Sequence, residues 1–142
     1  MMHMKELSTV EELKEAYPVM KELRTHLSEE EFIELVQQMQ HEDYQLFGCY
    51  DDGELTSLAG VAIKTNLYLN KHVFVYDLVT ADRHRSKGYG EKLLTYLENW
   101  GQQRGAHCIA LESGVQRTDA HRFYEQKMDF SRVSYSFRKS LS

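Results

Sequence analysis

The chain is poor in residues that staple, stiffen or anchor a protein: among 142 residues there are two cysteines and one proline. Cys49 and Cys108 share no Cys-x-x-Cys spacing, so no disulfide framework is expected. They read as small, partly buried apolar residues of a chain in a reducing cytoplasm, and a catalytic thiol has no local support. No apolar stretch reaches the ~20 residues of a membrane span. Met1 to Leu7 lacks the apolar core of a secretory signal. The seven histidines show no His-x-x-x-His or clustered spacing, so no metal is expected. Net positive charge is also missing. At −5 the chain has no general attraction for nucleic-acid backbones or anionic membranes, and neither is expected as a partner.

What is present fits one ordinary domain, residues 1–142, able to bury a core without staples. Hydrophobic residues make up 42% and charged residues 27%, as in soluble globular proteins. Met2 to Leu7 reads as a first strand. Ser8 with Glu11 forms a capping-box pattern before Leu13, Ala16, Tyr17, Met20 and Leu23, which recur at helical spacing. Pro18 lies inside that run, where a helix should kink or break. A second box, Ser28 with Glu31, opens a helix striped by Phe32, Leu35, Val36 and Met39. Tyr44 to Tyr50 and Leu55 to Lys64 read as strands joined through Asp52-Gly53, a strong hairpin turn. His72 to Thr80 is a third long strand. A helix follows Gly90, with Leu93, Leu94, Leu97 and Trp100 on one face and a stop at Arg104-Gly105. Cys108 to Glu112 reads as a short buried strand, Ala120 to Lys127 as a helix, and Phe130 to Phe137 as a final strand. The order is mixed α/β (α+β), with hairpins early and a β-α-β-α-β half late.

Chemistry concentrates at Arg85-Ser86-Lys87-Gly88-Tyr89-Gly90, between a strand and a strong helix. A helix N-terminus offers unpaired N–H groups and partial positive charge. The glycines let a loop turn its amides inward, and Arg85 and Lys87 add formal charge. Such a segment suits a pyrophosphate, although a glycine-rich helix entry with solvated charges would read the same. It is neither a dinucleotide fingerprint, lacking the third glycine, nor a P-loop, lacking Gly-Lys-Ser/Thr.

This Arg-x-x-Gly-x-Gly segment resembles the acetyl-CoA-binding motif of the GNAT superfamily of N-acetyltransferases. About thirty residues on, Asp119-Ala120-His121-Arg122-Phe123-Tyr124-Glu125 resembles that family's Ala-x-x-x-Tyr-Glu helix. The resemblance spans nearly the whole chain and is specific from about Val73 to Phe137. It implies a GNAT-like fold: a central, mostly antiparallel mixed sheet, splayed in the middle and flanked by about four helices. It also implies acetyl-CoA as cosubstrate. Backbone groups of Leu78, Val79 and Thr80 would pair with the pantetheine arm like an added strand. Amides of Ser86, Lys87, Gly88, Tyr89, Gly90 and Glu91 would hold the pyrophosphate beside Arg85, with Phe123 also at the cofactor. Two departures stand out. Arg117 replaces the Asn common three residues before Ala120, and would contact a CoA phosphate or the acceptor. Asp129, not Gly, precedes Phe130, and the segment after Tyr124 is one residue longer; Asp tolerates left-handed φ, so a helix cap survives.

The reaction implied is acetyl transfer to a small-molecule or peptidyl amine, in which the substrate nitrogen is the nucleophile. A base must leave the amine neutral, a donor must hold the oxyanion, and an acid must protonate the thiolate. The resemblance makes Tyr124 the acid and a backbone N–H at Leu78 or Val79 the oxyanion donor. Glu112 and Asp77 are the candidate bases; some members place Glu where this chain has Tyr76. His121 is expected beside the cleft and His107 in solvent. Tyr44, Tyr50, Tyr68 and Tyr76 are candidates for an aromatic acceptor pocket, and Glu29-Glu30-Glu31 for attracting a cation. A homodimer is compatible with the family. Two other readings compete: an acyl-CoA-binding sensor without turnover, and a nucleotide-binding α/β protein.

Overall fold

The computed structural model describes residues 1–142, which divide into two compact units, Met1–Leu111 and Glu112–Ser142. The first unit contains five strands: β1 (Met2–Leu7), β2 (Gln45–Asp51), β3 (Glu54–Asn66), β4 (Asn70–Thr80) and β5 (Cys108–Leu111). They form one sheet in chain order; β1 to β4 are antiparallel and β5 joins β4 in parallel. Its helices are α1 (Val10–Met20), α2 (Glu29–Gln40) and α3 (Tyr89–Gln103). The expected mixed, mostly antiparallel sheet is therefore present.

One apolar cluster joins α1 and α2 to the sheet through Leu13, Ala16, Phe32, Val36, Leu46 and Leu58. A second set packs α3 on the sheet: Leu93, Leu94 and Leu97 are fully buried, and Phe47 meets the edge of Trp100 at 5.3 Å. The α2 cap is the expected Ser28–Glu31 box. The α1 cap is shifted by one residue. Thr9, not Ser8, accepts from Glu12, whose carboxylate accepts from the Ser8 and Thr9 amides and is held down to about 2 by those bonds. Either hydroxyl suits an N-cap, and the turn chooses the one that places Leu13 and Ala16 inward. Pro18 does not end α1, which runs on to Met20 with the Lys21 amide still bonded to the Tyr17 carbonyl. Leu23 falls in the following turn. Asp52 and Gly53 both take positive φ, 50° and 79°, as the hairpin requires.

β5 is shorter and less covered than expected: it stops at Leu111 and Cys108 is exposed. Both cysteines are free. No helix is long and apolar enough to cross a membrane.

The second unit holds α4 (Thr118–Arg122), continued by one turn of π-helix over Phe123–Lys127. A π turn takes up one extra residue, which accommodates the longer segment after Tyr124. Asp129 then adopts φ 63° and the Phe130 amide reaches back to the Tyr124 carbonyl at 2.9 Å, closing the helix. The final strand expected over Phe130 to Phe137 is not formed. Val133, Tyr135 and Phe137 are largely exposed and no ladder includes them. Alternation makes a segment fit for a strand, but a strand also needs an edge to pair with.

Candidate active site

The site begins with a break in the sheet. β5 pairs with β4 only from His72 to Val75. The next residue, Tyr76, is a bulge: Gly60 faces Asp77 while Val61 faces Val75, so Tyr76 has no partner on β3. A bulge bends its strand and re-aims the side chains beyond it. From Asp77 to Thr80, β4 stays paired with β3 on one side and has no strand on the other. Leu78, Val79 and Thr80 therefore lie along an open edge. An extended ligand can hydrogen-bond to such an edge as another strand would.

That edge leads into the phosphate-type loop. A 3-10 turn at Asp82–His84 carries the chain from β4 to Arg85. Ser86 and Gly88 both take left-handed φ, 64° and 85°. The first backbone bond of α3 runs from the Lys92 amide to the Gly88 carbonyl, and the amides of residues 86 to 91 find no backbone acceptor. Successive free amides, left-handed residues and a helix N-terminus together make an anion-binding concavity. A Cβ placed on Gly88 would meet nothing within 4 Å, so the loop is open to a ligand. Lys87 makes no ion pair. Arg85 lies back over the strand end, its Nε donating to the Thr80 carbonyl at 3.3 Å, with Glu22 and Asp82 nearby.

The bulge is braced from the α1–α2 connection. Arg24 Nε donates to Asp77 Oδ1 at 2.9 Å, and its Nη2 donates to the Tyr76 carbonyl at 2.8 Å. The Tyr44 hydroxyl donates to Asp77 Oδ2 at 2.7 Å. Burial, then the Asp77 charge, holds the Tyr44 phenol well above the usual tyrosine range. Gly60 makes this possible, because a Cβ there would overlap the Tyr44 hydroxyl and lie 2.7 Å from Cε1. Of the four tyrosines considered for an acceptor pocket, Tyr44 and Tyr76 come together, with ring centroids 5.6 Å apart. Tyr68 is 83% exposed, and Tyr50 is tied to Glu15. Arg24 carries no sequence signal, since it lies in a connection between two capped helices. Of the acidic run, Glu31 is used in its cap, where the Ser28 backbone lowers its pKa.

The statistical model of the acetyltransferase (GNAT) family matches residues 7–130. The chain belongs to that family. It is 43% identical over 142 residues, 99% of this chain and all of the relative, to a Bacillus subtilis (strain 168) protein named as an uncharacterized N-acetyltransferase, YhdJ. A lower similarity, 26% over 91 residues, links 63% of this chain to 58% of the aminoalkylphosphonate N-acetyltransferase of Salmonella typhimurium (strain LT2). In three dimensions the aminoglycoside N-acetyltransferase AAC(6')-Iy, solved in complex with CoA, superimposes with a TM-score of 0.86 at 16% identity, covering 100% of this chain and 96% of that one. A Bacillus halodurans C-125 protein described as a transcriptional regulator gives 0.85 at 19%, covering 99% and 100%. These structural likenesses establish the GNAT fold.

Tyr124, expected from the resemblance to be the acid, lies on the π turn of the second unit. Tyr124 is buried, with its ring between those of Phe123 and Phe130 at 5.5 and 5.7 Å. Burial raises its pKa, and the Arg117 guanidinium pulls the other way. Glu112 is exposed and makes no ion pair. His121 Nε2 lies 2.9 Å from the Gly114 carbonyl, and His107 is exposed. No group of His, Cys, Asp and Glu side chains is arranged to hold a metal.

Proposed function

We propose that this acetyltransferase moves an acetyl group from acetyl-CoA to a primary amine by direct attack through a tetrahedral intermediate. One observation supports it above the others: the open edge of β4 at Leu78–Thr80 runs straight into a loop of six unbonded amides. Thioester, pantetheine and diphosphate follow one another in the same order in CoA. In this reading Leu78, Val79 and Thr80 hold the pantetheine. The amides of Ser86 to Glu91 hold the diphosphate with Arg85 and Lys87, and Phe123 lies against the cofactor.

The amine nitrogen attacks the thioester carbon, and the N–C bond forms as the carbonyl becomes an oxyanion. A backbone N–H at Leu78 or Val79 stabilises that charge, aimed by the bulge. The C–S bond then breaks and the thiolate takes the Tyr124 proton, while Arg117 stabilises the phenolate left behind. The ammonium proton leaves to Glu112, whose carboxylate is free. Asp77 is the less suited base, because both of its oxygens are occupied. Its role is to fix the bulge that aims the oxyanion donor. The acceptor lies on the α1–α2 side near Tyr44 and Tyr76, and the reaction runs in a reducing cytoplasm.

The test is thiol release from acetyl-CoA across polyamines, aminoglycosides, amino acids and peptide N-termini, with wild type beside Tyr124→Phe. Turnover with one amine class is expected, with kcat lowered ~100-fold or more by the substitution, the scale of a lost general acid. Tight CoA binding without turnover on any amine would replace this reading with that of a sensor.

A further inference from the structure

The CoA loop carries strain that it does not balance by itself. Ser86 sits at φ 64°, which a residue with a Cβ adopts only at a cost. Such a residue persists where its surroundings over-determine it. Two side chains, His84 just before the loop and Tyr89 within it, are both tied to the end of the β2–β3 hairpin. The Tyr89 hydroxyl donates to Asp51 Oδ2 at 2.6 Å. His84 Nε2 lies 3.0 Å from Glu54 Oε2, and Arg83 Nη2 reaches the same oxygen at 2.5 Å. The two rings also meet edge to face, with centroids 5.8 Å apart at 83°. The result is a closed circuit from Asp51 to Tyr89, to His84, to Glu54, and back through Asp52-Gly53. Register brings the two ends together. Ser57 pairs with Thr80 and the Ala81 amide bonds to the Thr56 carbonyl, so the chain leaving β4 passes the hairpin end.

Charge alone would oppose this arrangement. The Tyr89 hydroxyl bond lowers the pKa of Asp51, and the His84 bond lowers that of Glu54. Both carboxylates are thus held ionised beside a loop that has to attract an anion. Two negative groups there would weaken diphosphate binding by simple repulsion. Their presence makes sense if positioning outweighs that repulsion.

We infer that the β2–β3 hairpin end is the frame of the CoA loop, and that Asp51 (through Tyr89) and Glu54 (through His84) are positioning residues for the diphosphate. The inference rests on the reading that residues 86–91 hold the diphosphate. It goes beyond that reading by assigning a function to a hairpin that touches neither reacting group.

The test compares two donors, acetyl-CoA and S-acetylpantetheine, which has the same thioester but no diphosphate. The variants are Asp51→Ala, Glu54→Ala, the double variant, and Glu54→Gln, which keeps an oxygen for His84. Wild type should use acetyl-CoA with a measurable KM; if it neither uses nor binds CoA, the underlying reading fails, and the inference with it. Given that binding, Asp51→Ala and Glu54→Ala should each raise KM for acetyl-CoA roughly three- to tenfold at unchanged kcat, the scale of one exchanged hydrogen bond. Neither should change kcat/KM for S-acetylpantetheine, and Glu54→Gln should stay near wild type. The inference is overturned by an equal loss with both donors, which would mean general destabilisation. An unchanged or lowered KM for acetyl-CoA would overturn it as well, the lowered value showing that repulsion dominates.

Discussion

Replacing Gly60 by alanine adds one methyl group at the point where three elements are joined. The new Cβ would occupy space held by the Tyr44 hydroxyl and approach ring atom Cε1 to 2.7 Å. Gly60 lies on β3 opposite Asp77, with strands on both sides, so the backbone has little room to retreat. The ring has to move instead. Overpacking of this kind costs ~1–3 kcal/mol. Displacing the ring also breaks its bond to Asp77 and leaves a buried hydroxyl without a partner, at ~1–3 kcal/mol more. The expected loss is ~2–6 kcal/mol, which for a domain of this size lowers Tm by on the order of 10 °C. Urea unfolding of Gly60→Ala, Asp77→Asn and the double variant measures it. Because both changes act on the same hydroxyl, the double variant should lose less than the sum of the singles, by at least ~1 kcal/mol. A Gly60→Ala protein within ~0.5 kcal/mol of wild type would refute the steric argument. Strict additivity would refute the claim that Gly60 acts through Tyr44 and Asp77.

Other consequences are simpler. Glu12 has its pKa depressed from 4.5 to about 2 by the Ser8 and Thr9 amides, so its stabilisation is present above the ordinary value and fades as pH falls from 4.5 toward 2. Glu12→Ala should therefore cost about 1 kcal/mol at pH 7 and almost nothing at pH 2, read from urea midpoints. Leu97 is fully buried between α3 and the sheet, and Leu97→Ala should cost ~2–5 kcal/mol in the same assay. Lys87 forms no ion pair, so Lys87→Ala should leave Tm unchanged but raise KM for acetyl-CoA about threefold, and flatten its rise with salt. A fall in Tm with no change in KM would place Lys87 in the scaffold instead.

Much of this was legible wherever the deciding interaction is local. Ser28 and Glu31 satisfy each other within one turn, and Asp52-Gly53 requires only its own positive φ. The loop from Arg85 to Gly90 was readable for the same reason, since its amides and charges belong to adjacent residues. One-residue choices were harder. Ser8 and Thr9 are both good caps, and the packing of α1 selects Thr9. Pro18 reads as a breaker, yet it stands so near the end of α1 that two further residues stay helical. The longer segment after Tyr124 was visible, but that a π turn would absorb it was not. Phe130 to Phe137 has the alternation of a strand and no ladder, because pairing belongs to the partner edge as much as to the segment. The brace on the bulge was out of reach. Arg24 meets Asp77 across 53 positions, and Tyr44 across 33, with nothing at either end to announce the partner.

The most direct test of the central claim follows the acetyl group itself. Acetyl-CoA isotopically labelled in the acetyl carbons would be incubated with the enzyme and the amine panel, and every product weighed by mass spectrometry. The account predicts label on the amine nitrogen of one acceptor class, one free thiol for each label transferred. Label recovered only as acetate, or retained only on the protein, would contradict direct transfer to an amine.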